Sequence, residues 1–256
     1  MPNPFSRTTL LFGKESMERL YRAKVAVFGI GGVGGHCAEA LARSGIGRID
    51  LFDDDSVCPS NINRQIIATT RTVGQYKVDV MKERILELNP AASVGAFRLF
   101  YSPDTADAID LSIYDYIVDA VDTVTAKLEL ICRAAKLNVP IISCMGAANK
   151  LDPAAFEVAD IFCTSVCPLA RVMRTELRKR GIGRLKVVFS REPARKPLGD
   201  AMDVLRPECA LGEKANLHTD IEQRNTRQKQ IPASNAFVPP VAGLIMAGEV
   251  VKDLAR

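Results

Sequence analysis

The chain has 256 residues, 47% of them apolar and 25% charged, with a formal net charge of +4. That supplies the core of one large α/β domain and is too apolar for a disordered chain. No uninterrupted apolar run approaches the roughly 18 residues of a membrane span, and the stretch from Met1 to Lys14 lacks the apolar segment of a signal peptide, so a cytoplasmic protein is expected.

The first regular element is the apolar run Lys24-Val-Ala-Val-Phe-Gly29, which meets a glycine cluster and then a helical pattern through Ala38, Ala40, Leu41 and Ala42. Arg48 to Phe52 is a second strand ending in Asp53-Asp54-Asp55, which completes a βαβ unit. A helix is predicted from Gly74 to Leu88, closed by Asn89-Pro90, with strands at Val94–Leu99, Tyr116–Val121 and Pro140–Cys144 and a helix at Thr125–Leu137. Beyond Gly146 the pattern predicts a strand at Phe156–Ile161, a basic helix from Pro168 to Arg180, a strand at Leu185–Ser190, and a long loop over 191–236. An amphipathic helix from Val241 to Leu254, with Pro239 and Pro240 near its first turn, closes the chain. Strands alternating with helices imply a Rossmann-like, doubly wound, mostly parallel sheet with a C-terminal extension. Residues 1–150 read as the nucleotide-binding region, and residues 151–256 as a substrate and dimerisation region of the same domain.

Seven scattered cysteines, Cys37, Cys58, Cys132, Cys144, Cys163, Cys167 and Cys209, form no disulfide framework. Cys163 and Cys167 have no second pair and no nearby His, so a structural zinc lacks ligands, and both read as small core or capping residues. Cys144 and Met145 read as core. His36 falls in a predicted helix and His218 in a polar loop, neither with a catalytic partner. Charge is uneven: ten Lys and Arg against two Glu between Arg171 and Lys196 give a local net of +8, leaving −4 for the rest. This segment is either a solvated helix face or a footprint for a polyanion such as RNA, with Arg171, Arg174, Arg178, Lys179 and Arg180 as the candidate contacts.

The chemistry concentrates near the N-terminus. Gly29-Ile-Gly31-Gly32-Val-Gly34 fits G-x-G-x-x-G between a strand and a helix, where backbone N–H groups and the helix N-terminus can face a phosphate. Without a ligand the same residues make only a tight βα turn. Asp53, nineteen residues after Gly34, is placed to accept hydrogen bonds from the ribose of NAD or ATP. Arg64 and Lys77 then add two cations, which a triphosphate needs and a nicotinamide does not, unless both are surface charges. Asp122, after Asp119-Ala-Val, is placed either to hold Mg²⁺ against phosphates or to cap the following helix.

Taken together, GIGGVG, DDDSVCPSNINRQ, GQYK and DAVD resemble the ubiquitin-activating-enzyme-like superfamily of ATP-dependent adenylating proteins. The resemblance implies that Gly29, Gly31, Gly32, Gly34, Asp53, Asp55, Asn61, Arg64, Gln65 and Lys77 bind nucleotide. It implies that Arg64, Lys77 and Asp122 serve adenylation, and that Arg7, in Phe5-Ser-Arg7-Thr, reaches across a homodimer to the partner's ATP. Members that activate ubiquitin-like sulfur carriers usually have two C-x-x-C zinc pairs, which this chain lacks. Gly146-Ala-Ala-Asn-Lys-Leu-Asp-Pro153, Pro168-Leu-Ala-Arg171 and Phe237-Val-Pro-Pro240 instead look like the tRNA threonylcarbamoyladenosine dehydratase branch. That branch implies ATP and Mg²⁺ as cofactors, with a monovalent cation as a further candidate ligand, and tRNA as substrate. Cysteine-desulfurase partners occur in part of the family; some members carry a C-terminal cysteine, whereas no Cys follows Cys209 here. Adenylation of a carrier protein's C-terminal glycine and NAD binding by a redox or sensor protein are the competing expectations.

Overall fold

The computed structural model describes residues 4–198 and 232–256. Two short helices, α1 (Ser6–Phe12) and α2 (Lys14–Arg22), precede β1 (Lys24–Phe28), α3 (Gly34–Arg43) and β2 (Arg48–Phe52). There follow α4 (Lys77–Leu88), β3 (Ser93–Phe97), β4 (Tyr116–Asp119), α5 (Val124–Leu137) and β5 (Ile141–Cys144). The last elements are β6 (Phe156–Asp160), α6 (Pro168–Lys179), β7 (Lys186–Ser190) and α7 (Val238–Leu254).

The strands form one seven-stranded sheet in the order β3-β2-β1-β4-β5-β7-β6. Every pairing is parallel except β6 against β7, so the expected Rossmann-like α/β class is present. Alternation along β1 explains why both faces are covered. Val25 and Val27 face a core shared with α2, α3, α4 and α7, whereas Ala26 and Phe28 face one shared with α5. A third cluster joins α5 and α6 to β7 through Ile131, Met173, Leu177 and Val187.

Several boundaries differ from the sequence expectation for local reasons. Helix α4 starts at Lys77 rather than Gly74, because Gly74 (φ +87°) sits in a turn and Tyr76 pairs with Ser56 in an isolated antiparallel bridge. Strand β4 ends at Asp119, so Asp122 lies beyond it. Helix α7 starts three residues earlier than expected: Pro239 and Pro240 occupy its first turn, where no N–H is needed, and Asn235 Oδ1 accepts the N–H groups of Phe237 and Val238. It is buried on most sides rather than amphipathic, and a Cβ at Gly243 would lie 2.2 Å from the Val33 carbonyl oxygen, so the α3–α7 approach requires glycine. Helices α1 and α2 were not expected at all. Of the cysteines, Cys37, Cys144 and Cys167 are buried, with Cys167 at the N-cap of α6 although its thiol caps nothing, while Cys163 is exposed, which excludes the core half of its core-or-capping reading. Burial pushes the Cys144 thiol up to about 12. Cys209, His218 and most of the loop 191–236 lie outside the described residues.

Candidate functional site

Strands β1 and β4 are neighbours, with Phe28 opposite Asp119, and the chain runs outward from them in opposite directions. Such a switch point opens a crevice at the carboxyl ends of the strands. The glycine turn forms one wall. Gly29 has φ +87°, and a Cβ there would lie 2.7 Å from the Ala120 carbonyl oxygen; at Gly34 it would lie 1.8 Å from the Gly29 carbonyl oxygen. Both positions therefore exclude any other residue. Gly31 is different: its nearest neighbour in space is Gln65 Nε2, 4.0 Å from the position a Cβ would take, so glycine there leaves room rather than relieving a clash.

The segment between β2 and α4 carries the charged groups. Asp53 Oδ2 accepts the Ile30 N–H at 2.6 Å and Oδ1 accepts the Asp55 N–H at 2.9 Å, which fixes the carboxylate against the glycine turn. The chain then leaves and returns: the Val57 N–H donates to the Gln75 carbonyl and the Lys77 N–H to the Asp55 carbonyl. This return places Lys77 Nζ 2.5 Å from Asp55 Oδ2 and 3.9 Å from Asp53 Oδ1. Burial works against the Lys77 charge, but Asp53, Asp55 and Asp122 together hold its pKa above the ordinary lysine value. Burial raises Asp53, which Lys77 only partly offsets, and Asp54 is raised by burial and by Asp55. The carboxylates thus outweigh the lysine. A polyphosphate entering such a pocket needs a divalent cation to balance the charge.

Arg64 and Gln65 are brought to the same place by the turn that begins at the short helical segment Pro59–Asn61. Asn61 is buried; its Oδ1 accepts the Cys58 N–H and its carbonyl accepts the N–H groups of Arg64 and Gln65. A Cβ at Gly32 would lie 3.4 Å from Arg64 Cγ and 3.1 Å from Pro239 Cβ, so the arginine stem and the start of α7 both border the glycine turn. Arg64 Nη1 donates to the Ser60 carbonyl and to Asn63 Oδ1, each at 2.9 Å. Gln65 Oε1 is buried without a hydrogen-bond partner among the described residues, an acceptor beside Gly31 suited to a ligand hydroxyl or amino group.

Asp122 does not cap the next helix. Thr123 is the N-cap residue of α5, and Asp122 is exposed, accepting only the Thr123 hydroxyl at 3.2 Å. Its charge reaches Lys77 and Asp54. Asp53, Asp54 and Asp55 also present carboxylate oxygens within 4.8 Å of one another. Carboxylates of this number, with water and phosphate oxygens, match the hard-oxygen preference of Mg²⁺. Asp119, at the end of β4, is buried: it accepts from Lys127 Nζ at 3.0 and 3.1 Å, from the Ser143 hydroxyl at 2.5 Å and from the Val121 N–H at 3.3 Å. The sequence reading missed Lys127. A lysine on the apolar face of α5, beside Leu128 and Leu130, was the available signal.

Two groups of expected residues lie away from the crevice. Arg7 is exposed on α1, which packs through Phe5 against Tyr21, and among the described residues of one chain no hydrogen bond or ion pair joins Arg7 to the site. The five basic residues of α6 are not equivalent. Lys179 and Arg180 both pair with Glu176, at 2.7 and 2.6 Å, and Arg174 donates to the Thr164 carbonyl at 3.0 Å. Arg171 and Arg178 have no acidic partner among the described residues.

The Gly146–Pro153 and Phe237–Pro240 segments meet near the site. Asn149, at φ +61°, exchanges hydrogen bonds with Ala233 at 2.8 and 2.7 Å, and Asn63 Nδ2 donates to the Ser234 carbonyl at 3.1 Å.

The sequence matches the ThiF family over residues 5–255. It is 46% identical to a tRNA threonylcarbamoyladenosine dehydratase of Bacillus subtilis, covering 100% of this chain and 96% of that protein. The protein of the same description from Escherichia coli is 38% identical over 82% of this chain and 81% of its own. Crystallised Escherichia coli tRNA N6-threonylcarbamoyladenosine dehydratase, TcdA, in complex with ATP superposes with a TM-score of 0.81 at 31% identity, over 98% of this chain and 93% of that one. The chain belongs to the ThiF family, in its tRNA threonylcarbamoyladenosine dehydratase branch.

Proposed function

We propose that this protein uses ATP to activate the carboxylate of threonylcarbamoyladenosine in tRNA, so that the side chain closes on itself with net loss of water. The observation that carries the nucleotide part is the convergence of Asp53, Asp55, Lys77 and Arg64 on the glycine turn. Full-length similarity to proteins described by that activity carries the substrate part.

A carboxylate resists attack because its leaving group would be oxide. Transfer of AMP to it gives a mixed anhydride whose leaving group is a phosphate monoanion. In this reading Asp53 takes the ribose, and backbone N–H groups of the glycine turn face the phosphates. Lys77 and Arg64 stabilise the charge that develops on the departing pyrophosphate. Asp122, with the carboxylates of Asp54 and Asp55, would hold Mg²⁺, which supplies charge neutralisation. The nucleophile belongs to the same substituent as the activated carboxyl, so proximity replaces an enzyme nucleophile and no cysteine is required. Residues 1–150 then serve the nucleotide and residues 151–256 the tRNA and the partner subunit.

The test compares ATP turnover with tRNA carrying the threonylcarbamoyl group and with the same transcript unmodified, following the nucleoside by mass. Loss of one water from the modified adenosine, with ATP use confined to the modified tRNA, is expected. ATP binding without turnover or mass change would favour a carrier protein's C-terminal glycine as acceptor.

The same proposal includes a homodimer. Helix α1 buries none of its residues within the chain and leaves Leu10 88% and Leu11 78% exposed, next to Arg7. A second copy covering this apolar arm would deliver Arg7 to the partner's nucleotide. Arg7→Ala and Arg64→Ala proteins are each expected to be inactive, and mixing them under subunit exchange should restore about one quarter of wild-type turnover, since one of the two sites in each mixed dimer is intact. Two inactive variants with no recovery on mixing would assign Arg7 to its own subunit's site, and an active Arg7→Ala protein would place it outside the site.

A further inference from the structure

We propose that the cavity at the C-terminal end of α6 is a stacking subsite for an unpaired base of the RNA substrate. The claim rests on the tRNA reading above and narrows the basic segment to one cavity, whose Phe162, Gly181, Ile182 and Gly183 the sequence reading did not single out. The cavity has a volume of about 360 Å³ and is lined by Phe162, Arg178, Gly181, Ile182 and Gly183. The Arg178 guanidinium lies over the Phe162 ring, 5.1 Å from its centroid. An aromatic face and a guanidinium plane are the two protein surfaces on which unstacked RNA bases are held.

The local chain is built to keep this wall open. Helix α6 ends in a Schellman arrangement, with the Ile182 N–H donating to the Leu177 carbonyl at 3.0 Å and the Gly181 N–H to the Arg178 carbonyl at 3.1 Å, which requires the left-handed φ of +72° at Gly181. Gly183 has no such need. Its φ is not positive and a Cβ there would meet nothing within 4 Å, so neither backbone nor packing calls for glycine. A side chain at 183 would instead take up space beside Phe162.

Charge points to the same occupant. Arg171, Arg174 and Arg178 stand at i, i+3 and i+7 and so share one face of α6, whereas Glu176, Lys179 and Arg180 neutralise one another around a different one. On the first face Arg174 is anchored to Thr164, leaving Arg171 and Arg178 exposed and without an acidic partner among the described residues. Exposed Arg184 follows the cavity wall. Exposed Arg171 and Arg184, on either side of the Arg178 that covers an aromatic ring, make a phosphate track with one base-sized stop.

The test measures affinity for a modified tRNA and for its anticodon stem-loop, with each unpaired loop nucleotide replaced in turn by an abasic one. Phe162→Ala and Gly183→Leu should each weaken binding about ten-fold or more, with ATP affinity unchanged. Arg178→Lys keeps the charge and loses the plane, so it should weaken binding without changing the salt slope. Arg171→Ala should lower the slope by about one phosphate. One abasic position should bind wild type as weakly as the intact loop binds Phe162→Ala, and lose nothing further in that variant. Wild-type turnover of modified tRNA with unchanged affinity in both Phe162→Ala and Gly183→Leu overturns the subsite and leaves the function standing. A wild-type protein that neither binds nor turns over the tRNA fails the function itself.

Discussion

Arg64→Ala and Asp122→Ala are each expected to abolish ATP turnover, a loss of at least about 10²-fold, while the protein still folds. Both residues sit where substitution costs the fold little. Asp122 is exposed and its described bond is to the hydroxyl of its neighbour, and Arg64 Nη1 bonds groups within its own turn. Substitutions at such positions change stability by only about 0.5–1 kcal/mol. Their positions matter through charge. With four carboxylates around one buried lysine, the pocket repels a polyphosphate unless Arg64 and a divalent cation offset them. Removing Arg64 takes away a fork that contacts phosphoryl oxygens in pairs, and removing Asp122 takes away a carboxylate placed toward Lys77 from the opposite strand. Circular dichroism and a melting curve establish folding, and turnover with modified tRNA reads the effect. Normal turnover by a folded Asp122→Ala protein would remove Asp122 from the metal assignment.

The βαβ start, the glycine turn and the alternation of strands with helices were legible because each rests on a local pattern. Val25-Ala-Val-Phe28 alternates between two cores, and Gly29 and Gly34 sit where any side chain would clash. The convergence of Lys77 with Asp53 and Asp55 was legible only as spacing. What brings them together is a return of the chain through Ser56 and Tyr76 that has no sequence period. Helix α1 went unread because it buries nothing within the chain, and α2 because its nine residues bury only Met17 and Leu20, too short a stripe to register. The basic helix was visible as charge, but its division into a paired and an unpaired face went unread, although Glu176 stands at the i, i+3 and i, i+4 spacing from Lys179 and Arg180 that pairs them. Asp119 received no role of its own in the sequence reading, because the partner that buries it, Lys127, comes from eight residues further on, inside α5.

That partner sets the second large effect. Lys127→Met should destabilise the protein by about 3–5 kcal/mol, because it leaves the Asp119 carboxylate buried without a counter-charge, held only by the Ser143 hydroxyl and the Val121 N–H among the described residues, and Asp119→Ala should cost a similar amount. Ser143→Ala, which keeps the ion pair and loses one hydrogen bond at each end, should cost about 1–3 kcal/mol. Denaturant midpoints on the three variants and on the Lys127→Met/Asp119→Leu double variant separate the pair's worth from the penalty of orphaning one member. If the double variant is as stable as wild type or nearly so, the pair contributes little to net stability, and another reason for it must be found in what it holds. Asp119 Oδ1 also accepts the Val121 N–H at 3.3 Å, and the Ala120 N–H donates to the Phe28 carbonyl at 2.8 Å, so the residues leading to Asp122 are tied to both β4 and β1. A double variant that folds normally but loses ATP turnover would show that this buried pair acts by positioning the 120–122 turn against the glycine loop. One that folds and turns over normally would reduce the pair to a feature of packing.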